Sequence, residues 1–302
     1  MAEHPLVLIA DFITDDLAVE KGMLGDAAEV RALGAKSETE LTGRIEDAAC
    51  IMQYHFLSIG AATIGRLRRC KLIVRCGVGF DNVDRAAARA RGIAVCNIPD
   101  YGTEDVADTA MALMLTLARG THLLNSRLRS NLCKWSYTQA VPVHRLRGRT
   151  FAILGMGRIG TAAGHRAKAL GMDVVFYDPY VADGWERAHG VRRVASLREL
   201  LTQAQVLSLH CPATPETIGM IGREQIDLMP RGSFVINTAR GMILEPAAIP
   251  PAIRSGQLAG AGIDVLPTEP PAEDDPLIAA WRDPNEPCRK ALLGEPLRNV
   301  VN

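Results

Sequence analysis

Short apolar runs alternate with amphipathic stretches along almost the whole chain. Runs rich in Val, Ile and Leu stand at 6–10, 49–53, 71–76 and 93–96, and again at 150–154, 172–177, 205–209, 233–237 and 259–263. Most hold at least three consecutive apolar residues, which predicts strands buried on both faces rather than half-exposed ones. Between them, segments such as 83–91, 158–170, 196–203 and 245–255 carry apolar residues at helical spacing. Strand and helix in regular alternation predict an α/β protein with parallel sheets covered by helices on both faces.

The alternation breaks once. From Thr103 to Asn131 the chain reads "TEDVADTAMALMLTLARGTHLLNSRLRSN", helical in pattern and apolar along one broad face. This segment separates the two strand–helix series and is the natural connector between two domains. Gly120 inside it reads as a small packing residue rather than a bend.

Composition adds limits. The 302 residues are 48% hydrophobic and 23% charged, with 34 basic and 34 acidic side chains. That is a soluble globular balance. It leaves no basic surplus for direct nucleic acid binding or for an anionic membrane. The seven cysteines are scattered, with no Cys-x-x-Cys pair and no zinc-like Cys/His spacing. They read as reduced thiols, with no metal site. "MAEHPLVLIA" is too short and too acidic for a secretory signal, and no run reaches membrane-spanning length. A cytoplasmic location is expected.

The strongest chemical signal is "RTFAILGMGRIGTAAGHRAKALGMDVVFYDP". An apolar strand runs into Gly155-x-Gly157-x-x-Gly160, a helix follows, and a second strand ends at Asp178. Gly155 allows a tight turn, Gly157 lets a pyrophosphate approach the backbone, and Gly160 lets helix and strand pack closely. The amides of Arg158 and Ile159, at the helix N-terminus, are placed to face the pyrophosphate. Asp178 stands where a carboxylate accepts from the adenosine ribose and repels a 2′-phosphate, so NAD is expected over NADP. A turn-starting aspartate before Pro179 is the alternative reading of Asp178.

Further motifs lie on both sides of this signature: "VRCGVGFDNVD" (74–84), "LSLHCPATPETIGMI", "MPRGSFVINTARG" and "GIDVLPTEP". In this order, and over nearly the whole length, the chain resembles the NAD-dependent D-2-hydroxyacid dehydrogenases. The segments "FYDPYVADGWERAHGVRRVASLRELL", "LSLHCPATPETIGMI" and "MPRGSFVINTARG" are most similar to the C-terminal-binding-protein branch, whose members include transcriptional corepressors. The resemblance implies a Rossmann NAD-binding domain at 100–285, inserted in a flavodoxin-like substrate domain built from 1–99 and 286–302. It also implies an active cleft between the two and a homodimer formed through the cofactor domain. The implied reaction is hydride transfer between NAD(H) and a small 2-hydroxy or 2-keto acid.

Carried over residue by residue, the resemblance makes Val78 and Gly79 amide donors to the substrate carboxylate, with Arg75 lining the pocket. A Gly-x-Gly turn after an apolar strand is by itself either an anion nest or a plain turn. Arg240 in "NTARG" matches the arginine that grips the substrate carboxylate and carbonyl oxygen, a task suited to a planar bidentate donor. Asp264 matches a residue beside the nicotinamide, and Glu269 one that partners the catalytic histidine. Thr238, His210, Pro212 and Thr217 match cofactor-side positions more loosely.

The matching histidine is not found. The family carries it beyond the glutamate, and nothing from Glu269 to the neighbourhood of Arg289 qualifies; the seven histidines are His4, His55, His122, His144, His165, His189 and His210. The ending "CRKALLGEPLRNVVN" resembles the family's closing helix and tail. A segment bearing histidine, loop and helix is therefore expected to be missing between about Asp283 and Cys288. His210 and His55 are the candidates to stand in, His210 more readily read as a ribose-side or packing residue. Two functions follow: a dehydrogenase with impaired turnover, or an NAD(H)-binding scaffold of the corepressor kind with little turnover.

Overall fold

The computed structural model describes residues 4–129, 131, 134–140, 143–275 and 277–279. The chain forms two compact units, Met1–Gly102 and Thr103–Asn302. The tail expected in the first domain, 286–302, and the junction near 283–288 lie outside the described residues.

The first unit is built on β1 (Leu6–Ile9), β2 (Glu29–Ala32), β3 (Cys50–Gln53), β4 (Leu72–Arg75) and β5 (Ala94–Asn97), with α1 (Ala18–Leu24), α2 (Ala61–Arg66) and α3 (Arg85–Ala90) between them. All pairings are parallel, in the order β2-β1-β3-β4-β5. This is the flavodoxin-like order, with its reversal between β1 and β3. On β1, Leu8 joins one core, while Val7 and Ile9 join the core on the opposite face. A strand with both faces covered has no polar side to show, which is why its sequence lacks alternation.

The second unit begins with α4 (Thr103–Arg119) and α5 (Thr121–Arg129). Then come β6 (Thr150–Leu154), α6 (Arg158–Ala169), β7 (Asp173–Tyr177), α7 (Trp185–His189), β8 (Arg192–Arg193), α8 (Leu197–Leu201), β9 (Val206–Leu209), α9 (Arg223–Asp227), β10 (Ser233–Asn237), α10 (Ile249–Arg254) and β11 (Leu258–Ile263). The parallel sheet runs β11-β10-β9-β6-β7-β8, the Rossmann order. Phe151, Ile153, Phe176 and Ile236 face the core shared with α4, whereas Ala152, Leu154, Val175 and Val235 face the opposite core. Arg166 of α6 ties the two helices further, reaching Glu104 at 2.5 Å and Asp108 at 2.6 Å on α4.

Two readings change. The connector is not one helix: Gly120 adopts φ +62, in the left-handed region, and separates α4 from α5. It also packs, since a Cβ there would stand 2.7 Å from that of Ala140. Its role is therefore a break as well as a close contact. Two edge strands, β2 and β8, were not expected. Their sequences "EVRA" and "RR" carry the charges that edge strands use against further pairing, and charge hides an apolar run.

Candidate functional site

The second sheet reverses direction between β6 and β9, and the glycine motif lies at that point. Gly155, at φ +93, turns the chain out of β6. A Cβ on it would lie 2.6 Å from the Cys211 nitrogen and 2.9 Å from the His210 carbonyl carbon. The loop after β6 therefore presses on the loop after β9. At Gly160 a Cβ would stand 2.2 Å from the Gly155 oxygen, so α6 approaches β6 closely only because this residue has no side chain. Gly157 is different. It is the N-cap of α6, and a Cβ there would meet no protein atom within 4 Å. Nothing among the described residues asks for glycine at 157, whereas a ligand seated against the backbone would. Arg158 and Ile159 open the 12-residue helix α6 behind it, their amides at its positive end.

Asp178 follows β7. Its carboxylate accepts from the Met156 amide at 2.8 Å and from the Tyr180 amide at 2.8 Å. It thus holds the glycine loop and starts the turn at Pro179, the latter as the alternative reading expects. The Tyr180 hydroxyl donates to Glu216, joining the loop after β7 to the loop after β9. In the latter, the Thr217 hydroxyl donates to the Pro212 carbonyl at 2.6 Å and accepts from the Thr214 amide at 2.8 Å.

His210 is half-buried, and its Nε2 meets the Ser208 hydroxyl at 2.8 Å. Its Nδ1 has no partner among the described residues, and neither has the buried Thr238 hydroxyl at the end of β10. Two buried polar atoms left open on adjacent strand ends need a hydrogen-bonding group from elsewhere. Together with the bare backbone at Gly157, they fit a bound dinucleotide.

Burial lowers the His210 pKa from 6.5 to about 4. The unfolded chain therefore takes up a proton below pH 6.5 that the folded chain refuses until about pH 4, and stability falls across that window as the pH drops. At pH 5 this single residue is expected to cost about 2 kcal/mol relative to pH 7. Urea unfolding of the wild type and of His210→Gln at both pH values checks it; an identical pH dependence in the two proteins would refute the assignment.

Arg240 follows β10, with its Nη1 donating to the Ala239 carbonyl at 2.8 Å, and Asp264 and Glu269 follow β11. The Asn237 side chain donates to the Arg240 carbonyl at 3.0 Å and accepts from the Ala239 amide at 3.1 Å, which shapes the turn carrying Arg240. The Asp264 amide donates to the Asn237 carbonyl at 3.0 Å. Gly241 lets the two loops touch, since a Cβ there would overlap the Leu266 carbonyl carbon at 1.9 Å. Glu269 accepts from the Leu266 amide at 2.8 Å. Partial burial, with the Glu269 charge adding to it, pushes the Asp264 carboxyl up. A pocket of about 510 Å³ opens beside these groups, lined by Asp264, Glu269, Leu113, Leu117, Ile263 and His122. Sequence reasoning missed His122. Reading the connector as one helix hid the break at Gly120 that precedes it, and no motif marks it.

In the first unit, Arg75 is buried at the end of β4. Its guanidinium folds over Gly77, where a Cβ would sit 1.4 Å from Nη1. The turn is fixed by the Asn97 side chain donating to the Val78 carbonyl at 2.8 Å and by the Ile98 amide donating to the Gly77 carbonyl at 3.1 Å. Among the described residues the Val78 and Gly79 amides donate to no backbone carbonyl. His55 lies on the exposed loop after β3. No group of three or more metal-ligating side chains occurs among the described residues, and none of their helices is long and apolar enough to cross a membrane.

The profile of the family described as "D-isomer specific 2-hydroxyacid dehydrogenase, NAD binding domain" matches residues 111–286. A D-3-phosphoglycerate dehydrogenase of Methanocaldococcus jannaschii is 33% identical over 98% of this chain and 59% of its own length. One of Mycobacterium leprae is 33% identical over 99% and 59%. The chain thus spans 59% of the length of these two curated relatives. Among solved structures, a glyoxylate reductase from Paecilomyes thermophila matches with TM-score 0.81 at 28% identity, over 91% of this chain and 85% of that one. A D-lactate dehydrogenase from Aquifex aeolicus, complexed with NAD and lactic acid, matches with TM-score 0.78 at 30% identity, over 86% and 77%. With a family match over more than half its length and the Gly155–Gly160 turn at its sheet reversal, the chain belongs to the D-isomer specific 2-hydroxyacid dehydrogenases and carries their NAD-binding domain.

Proposed function

We propose that this chain transfers hydride between NAD(H) and a small 2-hydroxy or 2-keto acid, with low turnover. The observation that carries the reading is the glycine turn at the sheet reversal, on the same sheet whose β10 leads into Arg240 and whose β11 leads into the neighbouring carboxylates Asp264 and Glu269. The nicotinamide supplies the hydride and takes it back. The protein binds and orients. Gly157 and the amides of Arg158 and Ile159 receive the pyrophosphate, and Asp178 receives the adenosine ribose. His210, Pro212, Thr217 and Thr238 line the cofactor, with Asp264 beside the nicotinamide. Arg240 grips the acid's carboxylate and carbonyl oxygen, while Val78 and Gly79 in the nest beside Arg75 donate to the same carboxylate. Glu269 is the orienting carboxylate of the acid–base pair. The substrate domain is assigned to 1–99 with 286–302, and the cofactor domain to 100–285.

A second reading is favoured by one observation: no residue of the sequence after His210 is histidine. An NAD(H)-binding homodimer of the corepressor-like branch, joined through the cofactor domain and acting in the cytoplasm, needs no proton donor. The two readings part in one experiment. Titration with NADH and an oxidation assay with glyoxylate and pyruvate should give tight NADH binding with slow, measurable turnover. NADH binding with NAD-dependent dimerisation and no turnover favours the scaffold. No stabilisation of the fold by NAD or NADH discards both.

A further inference from the structure

At the reversal point of the first sheet, three aromatic rings stand together. Phe12 follows β1, and Tyr54 and Phe56 follow β3. The Phe12 ring is stacked on Tyr54 at 5.8 Å and tilted against Phe56 at 5.6 Å. Phe12 and Phe56 are 56% and 57% exposed and serve no core, whereas Tyr54 is half-buried against the core that holds Val7 and Ile9. Phe12 has φ 69, a left-handed conformation that bulky residues adopt only under constraint. The Ile13 amide closes the turn around it on the Asp11 carbonyl at 2.8 Å. Backbone strain that presents a phenyl ring to solvent gives nothing to folding.

The platform is rigidly held from beneath. Asp11 is fully buried. Its carboxylate accepts from the Tyr54 and Phe56 amides, each at 2.7 Å, and from the Leu57 amide at 3.3 Å. One carboxylate thus fixes the loop after β3 against the loop after β1. The platform is also joined to the anion nest, because the Tyr54 hydroxyl meets the thiol of Cys76, the residue after Arg75. β1, β3 and β4 are neighbours in the sheet, so rings, Arg75 and the Val78–Gly79 turn share one carboxyl edge.

We propose that Phe12, Tyr54 and Phe56 form the side-chain subsite of this chain and select 2-oxo acids with an aromatic or bulky apolar group on C3, of the phenylpyruvate type. An acid whose carboxylate sits in the nest extends its substituent over the rings. Offset and edge-on contacts there favour an aryl group over a methyl. Pyruvate and glyoxylate leave the rings in water. The assignment rests on the dehydrogenase reading above, and it goes beyond it in naming the substrate class.

The test uses the full chain loaded with NADH, titrated calorimetrically with phenylpyruvate, pyruvate and glyoxylate, with NADH oxidation followed for each. Phenylpyruvate is expected to bind at least about tenfold more tightly than pyruvate, a preference within reach of such ring contacts. Phe12→Ala and Phe56→Ala, checked for folding by circular dichroism, should each weaken phenylpyruvate at least about fivefold more than pyruvate. Equal affinities, or a preference that survives both substitutions, overturn the subsite and leave the dehydrogenase reading standing. A chain that binds NADH and none of the three acids overturns both.

Discussion

Gly160→Ala is expected to weaken NADH binding at least about 100-fold, and Gly157→Ala to weaken it without touching the fold. The two glycines lie three residues apart and differ in what surrounds them. At 160 an added methyl would lie 2.2 Å from the Gly155 oxygen and 3.2 Å from the Ile153 Cγ2. The first neighbour is backbone, so no rotamer change relieves it. Either α6 withdraws from β6 or the Gly155 turn opens. An insertion of this kind costs about 1–3 kcal/mol of stability, and the shifted loop no longer holds its amides in place. The dissociation constant should rise at least about 100-fold, the equivalent of about 3 kcal/mol. At 157 the methyl meets no protein atom, so urea unfolding of Gly157→Ala should match the wild type. Its NADH affinity should still fall about tenfold or more, because the methyl stands where the pyrophosphate approaches. NADH fluorescence titrations on both variants decide. Unchanged affinity in Gly157→Ala would refute the cofactor placement, whatever Gly160→Ala does.

This contrast also shows why the site was partly legible from the chain alone. The glycine turn, Asp178 and the strand ends carrying Arg240 and Asp264 follow from local rules. A strand buried on both faces must be a continuous apolar run, and a phosphate loop must be glycine-rich. Asp264 and Glu269 come together because both follow β11, and Arg240 follows the neighbouring strand β10. Other features depend on tertiary context that spacing does not carry. Gly120 looks the same in sequence whether it packs or breaks a helix; its positive φ comes from the contact with Ala140 and the turn into α5. β2 and β8 take their strand character from a neighbour, not from their own charged residues. The exposed pair Phe12 and Phe56 reads in sequence as ordinary apolar content, since nothing local says that Asp11 will turn both loops outward.

Turnover is expected to be two to four orders of magnitude below that of a relative with a complete acid–base pair, about 10²–10⁴-fold, the ordinary worth of a positioned proton donor. Reduction of a 2-keto acid needs a proton at the carbonyl oxygen as hydride reaches the carbon. Three histidines deserve a test as its source. Burial lowers the His210 pKa to about 4, so at neutral pH it is not the imidazolium that a general acid needs. His55 lies on an exposed loop of the first unit. His122 lines the pocket that also holds Asp264 and Glu269, and its Nδ1 is 3.2 Å from the Thr116 carbonyl. That contact places the Nδ1 proton on a backbone acceptor rather than on a substrate. The assay compares NADH oxidation by this chain and by the Aquifex aeolicus D-lactate dehydrogenase with pyruvate, alongside glyoxylate and phenylpyruvate. His55→Ala, His122→Ala and His210→Gln should each change kcat by less than about threefold, since no group of that catalytic worth is lost. Ordinary turnover in the wild type, reduced a hundredfold by one of these substitutions, would overturn the expectation and identify the proton donor. Slow turnover that none of them alters, and that stays flat across the histidine range of pH, is what water acting as the proton source predicts.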